Sequence, residues 1–389
     1  MSKKIAVGID VGSYQIKVVV TELVKKDNKY VPEVIGKGLH KSKGLMHGYI
    51  VNKNEVSRSI ISAVEQAETQ SGVKIKKAFI SIGGVSLEGI NLKSTTIITR
   101  ADLEVTQIDL DNINIENEKN PALLNKKIIS AIPIEYKIDD KKVLGNPIGM
   151  QGSKLKSEIL YITCLKQHLH DLIQAIEEVD IEVEDVYASP IAGSFVTLTK
   201  SQKIAGCVLA NLGSETVSII VFENDIPISL EILPIGSTNI TNNIALELKT
   251  TLEEAEKIKH GILTSTIYPK KKLDEIVKIQ LENIFKLIEA HLKKINRNAL
   301  LPAGIIISGG GSGITTIKDL AEAYLNIPSR IANLNFINNS SEIIHDSTWA
   351  VAYGLCLMGL SSDREKSSSF NSISGFIKQI KNWIAQYFV

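Results

Sequence analysis

The chain has 389 residues, enough for two or more compact units, and 44% of them are apolar, so a sizeable core is within reach. Its 44 Lys and Arg balance 43 Asp and Glu, which argues against nucleic acid as a partner. No run of about 18 apolar residues spans a membrane, and "MSKKIAVGIDVG" is no signal peptide, because its apolar run breaks at Asp10.

From the N-terminus, "KIAVGID" and "IKVVVTEL" are β-branched runs flanking the turn "VGSYQ", which predicts a strand pair. Residues 54–70 predict a helix with Val56, Ile60, Ile61 and Val64 on one face. "KKAFISIGG" then reads as a buried strand ending in glycines. From about 85 to 163 the pattern changes. "GINLKSTTIIT", "EYKID", "KVLGNPIG" and "KLKSEILYITC" are strands of an inserted α+β unit. One helix starts there at Asp109 or at Pro121, and the polar stretch "DNINIENEKNP" reads as a loop.

Leu169, Leu172, Ile173, Ile176 and Val179 restore the helical period. "ANLGSETVSIIV" (210–221) then repeats "IDVGSYQIKVVV" (9–20) at a constant offset of 201. Asp10 meets Asn211, Gly12 meets Gly213, and Ser13 meets Ser214: an internal duplication of a strand–turn–strand unit. Residues 229–300 are mostly helical. In "TLEEAEKIKHG", Thr251 is a plausible N-cap and Gly261 closes the end. "IIISGGGSG" is a strand running into a glycine turn, and "STWAVAYGLCLMG" is a last apolar helix. Cys164, Cys207 and Cys356 lie far apart in apolar segments and read as buried reduced thiols of a cytoplasmic protein.

Tight Gly-Ser turns let consecutive backbone N–H groups point at an anion, and two matching copies suggest two loops closing on the same phosphates. Asp10 could hold a magnesium ion, usually through water, since magnesium sheds its waters reluctantly. Gly309, Gly310 and Gly311 form a third turn, suited to an adenosine contact. Glu256 and Lys259, three apart on one helix face, either contact a ribose or base edge or form a solvated pair. His168 and His170, two apart on a helix, face different ways. No Walker loop, H-E-x-x-H or G-x-S-x-G is present.

These features describe the actin-like/Hsp70-like/sugar-kinase ATPase fold, an α/β fold of two duplicated RNase H-like halves. More narrowly, "GIDVGSYQIKVVV", "NPIGMQGSKLKSEI", "LPIGSTNITNNIALELKTTLEEAEKIKHG" and "IIISGGGSGI" resemble the FtsA family of bacterial cell-division proteins. That resemblance implies an inserted SHS2-type α+β subdomain, ATP and Mg2+ between the halves, and self-association into actin-like filaments. It also implies tethering of the FtsZ ring to the inner membrane at the septum, through the FtsZ C-terminal peptide, and recruitment of later divisome proteins. The implied subdomains are 1A (1–84 and 165–196), 1C (85–164), 2A (197–228 and 301–360) and 2B (229–300), with a linker at 361–373 and a helix at 374–389.

Residue by residue, the first phosphate motif falls on Asp10, Gly12, Ser13, Tyr14 and Lys17, and the second on Asn211, Gly213, Ser214 and Thr216. Gly236, Glu256 and Lys259 fall on the helical subdomain's nucleotide edge, and Gly309, Gly310 and Gly311 on the adenosine motif. The family's second motif usually begins with Asp and carries three glycines; here Asn211 brings no charge to magnesium. Glu215 would repel phosphates unless it turned outward, and Asn243 stands where the family commonly has Asp. The resemblance with these departures implies nucleotide binding with slow or absent hydrolysis. A PilM-like pilus-assembly adaptor and a sugar-kinase-type enzyme are the rival readings.

The chain ends in "SGFIKQIKNWIAQYFV". Ile373, Phe376, Ile377, Ile380, Trp383, Ile384, Tyr387 and Phe388 recur at three- and four-residue spacing, with Lys378 and Lys381 among the polar positions. This predicts an amphipathic helix of about 21 Å, too short to span a bilayer and suited to lying on membrane lipids. Burial yields roughly 10 kcal/mol gross, while ordering costs about 1 kcal/mol per residue. One tail is therefore a marginal anchor, and several on one filament bind by avidity.

Overall fold

The computed structural model describes residues 4–26, 29–262, 268–334 and 346–362. The chain opens with β1 (Ile5–Val11), β2 (Gln15–Lys26), β3 (Lys29–Lys41), a short hairpin of β4 (Leu45–Met46) and β5 (Tyr49–Ile50), α1 (Lys53–Ser71) and β6 (Lys77–Ile82). Then come β7 (Glu88–Ile97), α2 (Gln107–Glu118), β8 (Lys126–Ile138), β9 (Lys141–Val143), β10 (Lys154–Leu165), α3 (Lys166–Glu177), β11 (Glu182–Ala188), α4 (Ser189–Thr197) and α5 (Lys200–Ala205). β12 (Cys207–Leu212), β13 (Val217–Glu223), β14 (Ile226–Leu233), α6 (Ser237–Leu248), α7 (Leu252–Lys259) and α8 (Lys270–Lys294) follow. The described part closes with β15 (Gly304–Ser308), α9 (Ile317–Leu325), β16 (Ser329–Ile331) and α10 (Ala350–Ser362).

The duplication is visible in the sheets. One has the order β3-β2-β1-β6-β11, the other β14-β13-β12-β15-β16. In each, three antiparallel strands are followed by two parallel ones. The register repeats as well: Asp10 faces Lys17 across β1–β2, and Asn211 faces Ser218 across β12–β13.

Between β6 and α3 sits a third sheet, β7-β10-β8-β9, with its own small core around Ile113, Leu155, Ile159 and Tyr161. The expected loop at 111–121 is instead mostly helix. A capping box starts α2, with Thr106 N–H on the Asp109 carboxylate at 2.8 Å. The polar residue turned inward, Asn117, has its hydrogen-bonding capacity met by Tyr161 Oη at 3.1 Å and by Ser94. Polarity therefore misleads here, because these side chains bond within the fold.

The apolar helix α10 departs from the expected boundary, which placed 301–360 with the second half. It packs on α4 and on β1, β2 and β6 of the first half. The described side chains of α10 are buried almost all round, so the helix needs cover on every face, and a position between α4 and the first sheet provides it. The expected helix at 374–389, with Phe376 to Phe388, lies outside the described residues. Among the described residues no helix is long and apolar enough to cross a membrane.

One buried cation is a stability liability. Lys203 is 5% exposed, with its ammonium 5.5 Å from the Phe195 ring centre and 5.1 Å from that of Phe222. Burial lowers it from the ordinary 10.5 to about 8, against the Asp225 charge, which corresponds to ~3 kcal/mol of strain on the charged form. The two rings return on the order of 1–2 kcal/mol. Lys203→Met should thus stabilise the fold by about 1–2 kcal/mol at neutral pH, raising Tm by roughly 2–5 °C in a thermal melt. The folded value lies below the unfolded one. Wild-type stability should therefore rise between pH 8 and 10.5, where the folded chain has released the proton first, and the variant should lack that rise.

Candidate functional site

Both hairpin turns line one cavity of about 470 Å³. Gly12 and Gly213 have the same geometry: a Cβ added at either would lie 2.9 Å from the carbonyl oxygen three residues on, of Gln15 and Thr216. Asp10, Ser13, Tyr14 and Lys17 line the cavity from the first turn, and Asn211, Ser214 and Thr216 from the second. Ser81 at the end of β6 donates to Asp10 Oδ1 at 2.8 Å. Burial raises the Asp10 carboxyl, against Lys17 and Ser81, and lowers the Lys17 ammonium, against Asp10 and Asp346. Lys17 is 8% exposed, lines the cavity, and has no hydrogen-bond partner among the described residues. A buried ammonium in that position is a seat for an anion.

The second turn is pinned from behind. Ser237 N–H donates to Gly213 O at 2.9 Å and Thr238 N–H to Ser214 O at 2.8 Å, so the start of α6 holds the turn. Gly236 does not line the cavity. It lets that contact form, since a Cβ there would lie 2.2 Å from Ser214 O. Glu215 also stays out of the cavity lining. Its carboxylate accepts the His47 N–H at 2.5 Å, so it is turned outward onto the β4–β5 hairpin. Gly48 of that hairpin donates to Ser13 Oγ at 3.1 Å and accepts from His168 Nε2 at 2.8 Å. The hairpin therefore touches both phosphate-type turns.

At the other end, Glu256 and His260 line the cavity, whereas Lys259 does not. Lys259 is buried and donates to Glu256 Oε2 at 2.7 Å and Thr241 Oγ at 2.9 Å. Burial works against ionisation of Glu256, but hydrogen bonds from His260, Lys259 and Thr241 outweigh it and hold the carboxyl at about 2. The solvated-pair alternative is set aside by this burial: Lys259 orients Glu256. Gly309 and Gly310 also line the cavity, and Gly311 is buried against Leu212 instead. Gly309 has φ 85°, and a Cβ would lie 2.2 Å from Asn211 Oδ1.

Sequence reasoning missed Ser81, Ser218, His260, Asp346 and the Gly48 strap. Two of these had a signal in the sequence: Ser218 stands 201 residues after Lys17 in the repeat, and His260 stands four residues after Glu256. Ser81, Asp346 and Gly48 come from separate segments, and only the tertiary fold brings them to the cleft. His168, to which the sequence assigns no role, is buried and bonded to Ser86 at 2.5 Å, and burial pulls its imidazole below the ordinary value.

Residues 208–354 match the family described as cell division protein FtsA, and residues 84–163 match the SHS2 domain inserted in FtsA. Together these segments take in more than half of the chain. The chain belongs to the FtsA family. This FtsA-family chain is 25% identical to cell division protein FtsA of Pseudomonas aeruginosa, over 98% of both chains. It is 28% identical to that of Borreliella burgdorferi, over 99% of this chain and 97% of the relative. Its fold is the actin-like ATPase fold. A PilM–PilN type IV pilus biogenesis complex aligns with TM-score 0.67 at 14% identity, covering 91% of this chain and 98% of that one. ADP-bound MreB5 of Spiroplasma citri aligns with TM-score 0.53 at 10% identity, covering 94% and 99%.

Proposed function

We propose that this FtsA-family division protein binds ATP in the cleft, self-assembles into actin-like filaments, and tethers the FtsZ ring to the cytoplasmic face of the membrane. The C-terminal amphipathic segment is the tether, and later division proteins are recruited on the same scaffold. The observation that carries the nucleotide part is the convergence on one cavity of two duplicated turns and of Lys17, whose ammonium makes no hydrogen bond among the described residues. Gly12, Ser13, Gly213, Ser214 and Thr216 would hold the phosphates. Glu256, His260, Gly309 and Gly310 would face the nucleoside. Turning Glu215 out of the cavity removes the repulsion its sequence position suggests. Asn211 in place of an acid supports slow or absent hydrolysis, which phosphate release by the purified protein would check; Asn243 stays out of the cavity lining and donates to Asn239 O at 2.8 Å.

FtsZ binding is assigned to residues 229–300 on the strength of the family resemblance alone. The PilM-type reading shares the fold, but the two FtsA family matches favour division over pilus assembly.

Liposome co-sedimentation of the full chain against a chain ending at Ser372, with and without ATP, tests the tether. The full chain should pellet with anionic vesicles more strongly with ATP, and the shortened chain should stay in the supernatant. Equal pelleting of the two would remove the anchor from this reading.

A further inference from the structure

The duplication brings out a charge asymmetry that bears on the cation requirement. The first half places the pair Asp10 and Lys17 across β1–β2, and the second half places Asn211 and Ser218 at the equivalent register. The first pair is charged and the second neutral. Ser218 is 7% exposed, lines the cavity, and its hydroxyl has no hydrogen-bond partner among the described residues. Lys17 and Ser218 are thus two equivalent buried groups, both aimed into the cavity and both free to meet a ligand.

The carboxylates tell the complementary story. Asp10 has one oxygen on Ser81, and Lys17 lies opposite in the ladder. Asp346 accepts from Thr348 N–H at 2.9 Å and Thr348 Oγ at 2.7 Å, and its charge also acts on Lys17. Glu256 is occupied by Thr241, Lys259 and His260. Glu215 points away onto His47. No group of three His, Cys, Asp or Glu residues among those described could hold a metal ion. Magnesium is ordinarily held by one or two available carboxylates together with phosphates. Here a divalent cation beside Asp10 would also face the Lys17 ammonium at short range, which opposes it. Among the described residues Asp10 is thus the one cavity carboxylate with an oxygen left over, and the Lys17 ammonium beside it makes it a poor magnesium seat.

We propose that the cleft neutralises bound phosphates with its own Lys17, and with donors from the turns and Ser218, so that nucleotide affinity depends little on a divalent cation. The proposal rests on the nucleotide reading above and departs from the expected magnesium on Asp10.

Isothermal titration of the full chain with ATP, in excess magnesium and in excess EDTA, tests it. The two dissociation constants should agree within about threefold. Binding that is tenfold or more tighter with magnesium overturns this proposal and leaves the nucleotide reading intact; no binding in either medium overturns both. Asn211→Asp adds back a carboxylate at the neutral position. It should weaken binding in EDTA by roughly tenfold or more and recover in magnesium. A variant that stays insensitive to magnesium contradicts the charge argument, and a thermal melt confirms that it is folded.

Discussion

Replacing Lys17 by methionine should weaken ATP binding by roughly 30- to 1000-fold, the effect of about 2–4 kcal/mol for removing one partner of a buried charged contact. Methionine keeps most of the aliphatic length, so the packing of β2 on β1 changes little. The loss comes from the ammonium, which is buried, reaches the cavity, and is free of other hydrogen bonds among the described residues. The substitution also leaves Asp10 without its countercharge, and a carboxyl already raised by burial responds by protonating more readily. The chain should therefore stay folded, and Lys17→Met combined with Asp10→Asn should bind as poorly as the single variant. The pH dependence has a definite sign. Burial raises Asp10 and lowers Lys17, so falling pH favours the ammonium of Lys17 and removes the charge of Asp10 earlier than in an exposed carboxyl. Affinity for ATP should increase as pH falls through the raised Asp10 value. Unchanged affinity in Lys17→Met would separate the cavity from phosphate binding.

Gly354→Ala should destabilise the protein, although helix propensity alone favours it. Gly354 lies in the middle of α10, where alanine is worth about 1 kcal/mol more than glycine. A Cβ there would lie 2.0 Å from Ala192 O and 2.7 Å from Ala192 C, both backbone atoms of α4. Neither can swing away as a flexible side chain would, so the two helices must separate. Overpacking of this kind costs typically 1–3 kcal/mol and sometimes more, which exceeds the propensity gain. The neighbouring contacts magnify the effect: at Gly8 on β1 a Cβ would lie 2.2 Å from Ala352 O, so α10 is seated closely on two sides. With the backbone contact placing the cost in the upper part of that range, chemical denaturation should show a net loss of about 1–2 kcal/mol. A gain in stability would mean that α10 does not sit against α4.

The two hairpins are legible in the sequence because a strand–turn–strand unit is local and its copies can be laid side by side. The sheet order of each half is not legible in this way, because it rests on parallel pairings between strands far apart in sequence. Other parts are hidden for different reasons. Helix α2 reads as a loop because its inward Asn117 is polar, and only Tyr161, distant in sequence, explains why that is tolerated. The apolar character of α10 tells that it is buried but not in which half, since an all-round apolar helix has no facing direction. Gly236, Lys259 and Gly311 sit on recognisable motifs yet stand behind the cavity wall, where they position Ser214, Glu256 and Leu212. A motif names the neighbourhood of a residue; whether its side chain reaches the cavity depends on how the surrounding segments pack. Glu215 is the converse case: its sequence position suggests a clash with phosphate, and the His47 N–H resolves it from another segment.

The most direct measurement is a crystal structure of the full chain with a non-hydrolysable ATP analogue. The phosphates should lie between the Gly12–Ser13 and Gly213–Ser214 turns, within hydrogen-bond distance of Lys17 Nζ, with the nucleoside between Glu256 and Gly309–Gly310. Nucleotide density at another place on the molecule, or an empty cleft at saturating analogue, would contradict the account.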